Sequence, residues 1–600
     1  MALGTPSESP AVVVREIDLT GGVPNVQSTT GAIAGKFNWG PINVATKINN
    51  EAELVETFSA PDDATYQGFL LASQFLRYSS SLNVVRVASD SDTNAYAFDG
   101  DFVSGDSISV DTKIWNTEAF DTLESTLAAA QVYDSVGVAT GTNIAFAAKY
   151  AGELGNSIKV SVLHAGDSSV QATNTFFGNW AYASEFDAKP ATSLHAASGN
   201  AQNDELHVVV VDEDGLVSGT KGTVLERFGF LSSIVGAKNS QGQSVYAKDV
   251  INSSSNYVYM LNFNSTAVSN GAGGQLVDSI DYGTSGVAVN YSFVNGTNSG
   301  TIPLSNLYTG YDKFADKDQI EIDFLIALSG ANSTDHVSLV NDLVAKAESR
   351  KDCVVVASPA YDDVIGVNSD ATKVSNTIST VSNYTRSSYL VADNNFVKVY
   401  DKYNDTYRNI PAAGNIAGVM AATDINRAAW FSPAGSRRGQ MLGITSLAYS
   451  PTKGQRDTLY KAGVNPIANI PGQGALLFGD KTFLGRVSAF DRINVRRLFL
   501  ILERAIGRAA EQVMFEFNDE FTRAEFVNIV EPVLREVQGR RGITDFRVVC
   551  DETNNTAAVI DRNEFKADIF IKPARSINYV TLSFVAVRTG VDFEEVVGTV

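Results

Sequence analysis

A strand–helix–strand pattern in the second half of the chain limits the fold more than any other feature. Residues 320–328 are an apolar run of strand length. Residues 335–349 carry Leu339, Leu343 and Val344 at helical spacing, and residues 353–357 (CVVVA) are a second apolar strand. Strands apolar on both faces belong inside a parallel sheet, and a strand, helix and strand of these lengths predict a right-handed βαβ crossover. A helix over 371–385 and a strand over 389–392 extend the unit. Residues 397–410 read as a hairpin, and 412–423 as a helix of small residues able to pack closely on the sheet. Upstream, residues 30–44 read as a strand and turn and 83–87 as a strand. Between them, 65–79 reads as a helix presenting Phe69, Leu70, Phe75 and Leu76.

Between these stretches the composition changes. Ser, Thr, Asn, Gly and Asp dominate residues 90–318, with short β-prone pieces at 143–149, 157–163 and 206–211, which predicts one or two β-rich insertions. Residues 101–320 hold 23 acidic against 10 basic side chains, whereas residues 451–600 hold 20 of each. The middle therefore reads as a solvated exterior and the last quarter as a surface that meets other things. The whole chain has a net charge of −21, a poor basis for binding nucleic acid, which needs a surplus of Lys and Arg. Its 600 residues predict several domains, and 44% hydrophobic residues predict folded ones. Cys353 and Cys550 cannot staple such a chain, and four histidines leave little for a zinc site. Residues 1–10 lack the basic and apolar regions of a secretory signal. The densest apolar runs (208–211 and 498–502) are far too short to span a membrane.

Both ends carry strand-like segments without an adjacent mate. Residues 11–19 place Val12, Val13, Val14, Ile17 and Leu19 in a β-prone arm that Gly21-Gly22-Val23-Pro24 separates from the next strand. Such an arm exposes unpaired backbone groups, so it is either an edge strand of its own domain or seeks a partner elsewhere. Near the other end a long helix is expected over 493–517 and an amphipathic one over 523–538. A hairpin of 546–550 with 556–571 would come next, bearing Phe546, Val548, Val559, Ile569 and Ile571. A last strand over 579–587 has Val580, Leu582, Phe584 and Ala586 on one side. Arg486, Arg492, Arg496, Arg497, Arg504 and Arg508 stand against only Asp491 and Glu503, and Arg497, Arg504 and Arg508 fall near one helix side. This is either a solvated face with local salt bridges or a basic strip for an acidic partner.

Patterns for catalysis or cofactors are missing from the sequence: HExxH, CxxC, Walker A, GxGxxG and GxSxG do not occur. Gly472-Gln-Gly474 lacks the Lys-Ser/Thr ending of a phosphate loop and reads as a turn. The acidic clusters at 212–214 and 312–318 lack EF-hand spacing and read as solvated loops. No enzyme activity, cofactor or metal is expected.

The C-terminal half resembles the contractile phage tail sheath proteins of T4-like myoviruses. The likeness rests on Ile410-Pro-Ala-Ala-Gly-Asn-Ile-Ala-Gly-Val-Met-Ala-Ala-Thr-Asp424 and on Trp430-Phe-Ser-Pro-Ala-Gly435 followed by Arg438-Gly439. It continues through Asn465-Pro-Ile, Pro471-Gly-Gln-Gly474, Phe478-Gly-Asp-Lys-Thr482 and Arg492-Ile-Asn-Val-Arg-Arg-Leu498, with Ser9-Pro-Ala-Val-Val-Val-Arg-Glu16 at the start. It covers residues 1–95 and 320–600. The resemblance implies a multidomain chain of the α/β and α+β classes, with a βαβ-containing sheath core, β-rich insertions and a C-terminal helix-plus-hairpin domain. The expected division is an arm (1–20), a core (21–95 with 320–490), two insertions (96–195 and 196–319), a tube-facing domain (491–575) and a second arm (576–600).

It further implies a virion tail protein assembled in the host cytoplasm, stacked as hexameric rings around an inner tail tube. Baseplate and tail terminator proteins would be its other partners, with neither nucleic acid nor membrane insertion. Terminal strands would add to the hairpin of neighbouring copies. Arg496, Arg497, Arg504 and Arg508 would face the tube, and contraction would drive it through the host envelope. The alternatives are the sheath of a bacteriocin or secretion-type device and, in a different class, an acidic surface-layer protein.

Overall fold

The computed structural model describes residues 29–98, 107–108, 113–128, 131–133, 139–165, 175–199, 202–261, 288–298, 300–330 and 332–576. They fall into two compact units. The larger has described residues within 29–426 and 433–491, and the smaller has 427–432 and 492–576.

The larger unit is built on a six-stranded sheet. Gly31–Gly35 lies between Phe324–Ile326 and Leu82–Arg86, and beyond Phe324–Ile326 come Val354–Ala357 and Leu390–Ala392, all parallel. Ala45–Ile48 closes the far edge, antiparallel to Leu82–Arg86. Every residue of the five parallel strands is buried, which is why these segments read as unbroken apolar runs. Helix Ser333–Arg350 makes the crossover. Asn332 caps it by accepting a hydrogen bond from the Asp335 amide, and Lys351 ends it in the left-handed region at φ 61°. Leu339, Val340, Leu343 and Val344 are fully buried on its sheet side, each contributing roughly 2 kcal/mol of transfer free energy.

Helix Ala413–Asn426 packs on this sheet and also crosses helix Tyr66–Leu76 at close range. A Cβ on Gly414 would lie 2.6 Å from the Leu71 carbonyl oxygen, and one on Gly418 would lie 2.3 Å from the Tyr78 ring. The small residues seen in the sequence therefore serve a helix–helix contact as well as the sheet.

A polar knot holds the carboxyl ends of the strands. Ser358 Oγ donates to Asp393 Oδ2 (2.7 Å), the Ala413 amide donates to Ser358 Oγ (2.9 Å) and the Asn395 amide donates to Asp393 Oδ1 (2.8 Å). Asn394 accepts from the Ile467 amide and donates to the Tyr449 hydroxyl. Asp393, Asn394 and Asn395 are all fully buried, and burial raises the Asp393 carboxyl to about 7.

Within this unit the middle of the chain leaves the six-stranded sheet and returns to it through a paired stem. Thr93 bridges Thr297 and Tyr96 bridges Val294. Above the stem, Ile158–His164 lies between Glu205–Asp212 and Val289–Ser292, with Thr223–Ser232 on the outer side of Glu205–Asp212. A second sheet centres on Ala139–Ala148, flanked by Gln131–Tyr133, Val258–Met260 and Tyr96–Phe98. Phe146, Val160, Val208 and Met260 meet in one buried cluster. The expected boundary between residues 195 and 196 is thus corrected: antiparallel pairing of Ile158–His164 with Glu205–Asp212 joins both sides of it in one sheet. The acidic loop at 212–214 is tied inward, because Asp212 accepts from Ser157 Oγ and from the amides of Gly215, Val217 and Ser218.

Arg86, 1% exposed, fastens the insertion to the sheet. Its guanidinium donates to the carbonyls of Phe37 (3.0 Å), Gly40 (2.9 Å) and Ala151 (2.6 Å), and burial lowers its pKa to about 10. A buried cation is tolerated only when its donors are met; here three carbonyls from two regions meet them.

Candidate assembly site

The smaller unit is an antiparallel pair of helices, Ile493–Gln512 and Glu520–Gly539, followed by a two-stranded ribbon of Ile543–Val549 and Asp568–Pro573. Leu498, Leu502, Ala509, Phe526, Val530, Leu534 and Val537 form its core. The first helix ends at Gln512, five residues short of the expected end at 517. The break comes at Phe515, whose left-handed backbone (φ 71°) cannot continue the helix, and Asp519 then caps the next helix by accepting from the Thr522 amide (2.8 Å).

The ribbon holds four of the five residues expected of a hairpin. Phe546 lies opposite Ile571 and Val548 opposite Ile569, and all four turn toward the helices. Val559 does not belong to a strand, a correction to the expected run of 556–571. It lies on the short helix Ala557–Ile560, inside a loop that Asn555 closes. Asn555 Oδ1 accepts from the Lys566 amide and Nδ2 donates to the Lys566 carbonyl, so residues 556–565 must turn back on themselves. On the outer face Arg547 lies opposite Phe570, which is 61% exposed. Among the described residues each strand of the ribbon pairs only with the other, leaving an outer edge on both sides.

The arginine strip also needs correction. Arg496 and Arg497 are 6% and 3% exposed, because the first turns of the helix are buried on all sides; Arg504 and Arg508, further along, are half-buried. The arm residues Val12, Val13, Val14, Ile17, Leu19, Val580, Leu582, Phe584 and Ala586 lie outside the described residues.

Two buried histidines are structural. His336 accepts from the Gly330 amide at Nδ1 and contacts the Ser358 carbonyl through Nε2 (2.8 Å). His207 does the same with the Phe230 amide and the Ala188 carbonyl. With one nitrogen accepting and the other donating, each imidazole is neutral, and burial lowers His336 to about 4.

The chain matches the family profiles for the phage tail sheath protein central domain over residues 310–483 and the phage tail sheath C-terminal domain over residues 487–586. It is 31% identical to the tail sheath protein of Vibrio phage KVP40, over 98% of this chain and 99% of that one. It is 32% identical to the tail sheath protein of Enterobacteria phage T4, with the same coverage of each. The chain belongs to the phage tail sheath family. The tail sheath protein of Salmonella phage ViI is a further relative, 32% identical over 99% of this chain and 98% of its own. The crystal structure of a sheath tail protein from Listeria innocua overlaps 92% of this chain and 96% of its own at 13% identity, with a TM-score of 0.48.

As a sheath protein the chain is a structural component of a contractile phage tail, which displaces the surface-layer alternative. No helix among the described residues is long and apolar enough to cross a membrane. Sequence reasoning missed the buried charge of Arg86 and the exposed aromatic turn between the two long helices. The first had no local signal; the second was signalled by Asn518-Asp519, a helix-start pair directly after the expected helix end at 517.

Proposed function

We propose that copies of this chain stack as hexameric rings around an inner tail tube and are woven together by their own termini. Residues 1–20 and 576–600 would add as strands to the two outer edges of the ribbon in adjacent copies. The open ribbon carries this reading: two strands alone are marginal, and an added strand of five residues contributes on the order of 5 kcal/mol in backbone hydrogen bonds before its ordering cost. Arg504 and Arg508 face the tube in this arrangement. Baseplate and tail terminator proteins cap the two ends of the stack, and assembly takes place in the host cytoplasm.

The work is mechanical and breaks no covalent bond. A trigger at the baseplate releases the extended lattice into a shorter, wider one, while rigid units reorient and the woven strands stay paired. That change drives the tube through the host envelope, and the free energy comes from contact buried between adjacent sheet-containing units.

Deleting residues 1–20 tests the weave. The truncated chain should melt as the full chain does yet form no tubular polymers in negative-stain micrographs. Normal cylinders from it would refute the role of the arm. Equal or smaller buried area between subunits after contraction would remove the proposed energy source.

A further inference from the structure

The turn joining the two long helices of the smaller unit exposes four large apolar side chains within eight residues. Phe515 is 100% exposed, Phe517 83%, Phe521 76% and Met514 57%. Phe515 is held at φ 71°, a left-handed conformation that bulky residues avoid and that clusters at functional contacts. Glu511, Glu516, Asp519 and Glu520, all exposed, surround these rings. An apolar patch inside an acidic collar suits a partner that offers an aromatic surface with basic groups around it.

The opposite end of the same unit has that chemistry. Asn494, at the start of the first helix, donates to the Trp430 carbonyl (3.3 Å), and the Trp430 indole donates to the Arg540 carbonyl (3.2 Å) beyond the end of the second. Arg540 stacks on Trp430 at 5.1 Å and donates to the Arg427 carbonyl. Arg427, Arg541 and Arg575 are exposed beside it, with Glu536 pairing Arg540. Each helix has 20 residues, so the acidic and basic ends stand about 30 Å apart. They cannot meet within one molecule.

We infer that the acid-collared aromatic turn of one copy docks on the Trp430–Arg541 end of a second copy's smaller unit. The two faces differ, so the contact is heterologous and repeats head to tail instead of closing as a two-fold dimer. The inference rests on the self-assembly reading above and adds to it a contact that does not involve the termini.

The test places one cysteine at each face of the full-length chain, Phe515→Cys and Arg575→Cys, while the native thiols of Cys353 and Cys550 are buried. Assembled cylinders are treated with a short bis-maleimide. The double variant should give a ladder of covalent multimers on a denaturing gel, and each single variant should not. Well-formed cylinders without a ladder overturn the docking, as does capture of position 515 only by the tube or by a chain terminus. Failure of the native chain, carrying neither added cysteine, to form cylinders counts against the assembly reading instead. Charge exchange provides a second readout: Glu516→Arg and Arg541→Glu should each lower cylinder yield about tenfold, and together they should restore it. Absence of that rescue, with both single variants folded, also refutes the contact.

Discussion

The sheet-bearing unit and the two-helix unit treat their unsatisfied groups in opposite ways. In the first, three costly buried groups are met internally: Arg86 by three carbonyls, Asp393 by a hydroxyl and an amide, His336 at both ring nitrogens. In the second, a ribbon keeps two outer edges among the described residues, and Met514, Phe515, Phe517, Phe521 and Phe570 face solvent. On the assembly proposed above, the polar anchors of the first unit are completed within the chain and the second unit is completed by neighbours. Substitutions in the first should therefore register as stability, and substitutions in the second as assembly.

The contrast breaks first at Arg86. Arg86→Ala should cost about 3–5 kcal/mol, because three buried carbonyls lose their donor. Urea unfolding should show the midpoint fall at constant slope, and a loss under about 1 kcal/mol would mean the insertion is held by something else.

Asp393 gives the next effect. Its folded value of about 7 exceeds the ordinary 3.8, so the folded protein holds that proton more tightly than the unfolded chain. Its contribution is full below about pH 4 and is lost as pH rises to about 7, with a slope of at most about 1.4 kcal/mol per pH unit. Denaturation across that window should show the slope in the native chain and lose it in Asp393→Asn.

Gly418→Ala should cost about 2 kcal/mol, since the added methyl meets the Tyr78 ring 2.3 Å away and the two helices must part. The melting temperature reads it directly. The smallest effect separates the units most cleanly. Phe515→Gly should stabilise the isolated subunit by about 1 kcal/mol by relieving the left-handed strain while reducing cylinder yield. A variant that loses both stability and assembly would erase the distinction.

The parallel sheet could be read from the sequence because buried strands are apolar throughout and their helices keep a 3.6-residue period. Leu339, Leu343 and Val344 marked the crossover helix without help from other regions. The ribbon could be read through Phe546, Val548, Ile569 and Ile571, which alternate as strands do. What escaped depends on partners distant in the chain. The burial of Arg496 and Arg497 comes from packing around the first turns of their helix, and the bonds of Arg86 reach back 46 and 49 residues and forward 65. Val559 was misplaced because a loop closed by one asparagine has no periodicity of its own.

The stem at Thr93 and Thr297 has a practical consequence. Because the chain departs and returns along adjacent strands, the span above it imposes almost no separation on the two ends it leaves behind. A foreign domain with neighbouring termini could be grafted there without stretching the sheet beneath. The stem is thereby a modular platform, and its cargo can change while the machinery below keeps its geometry.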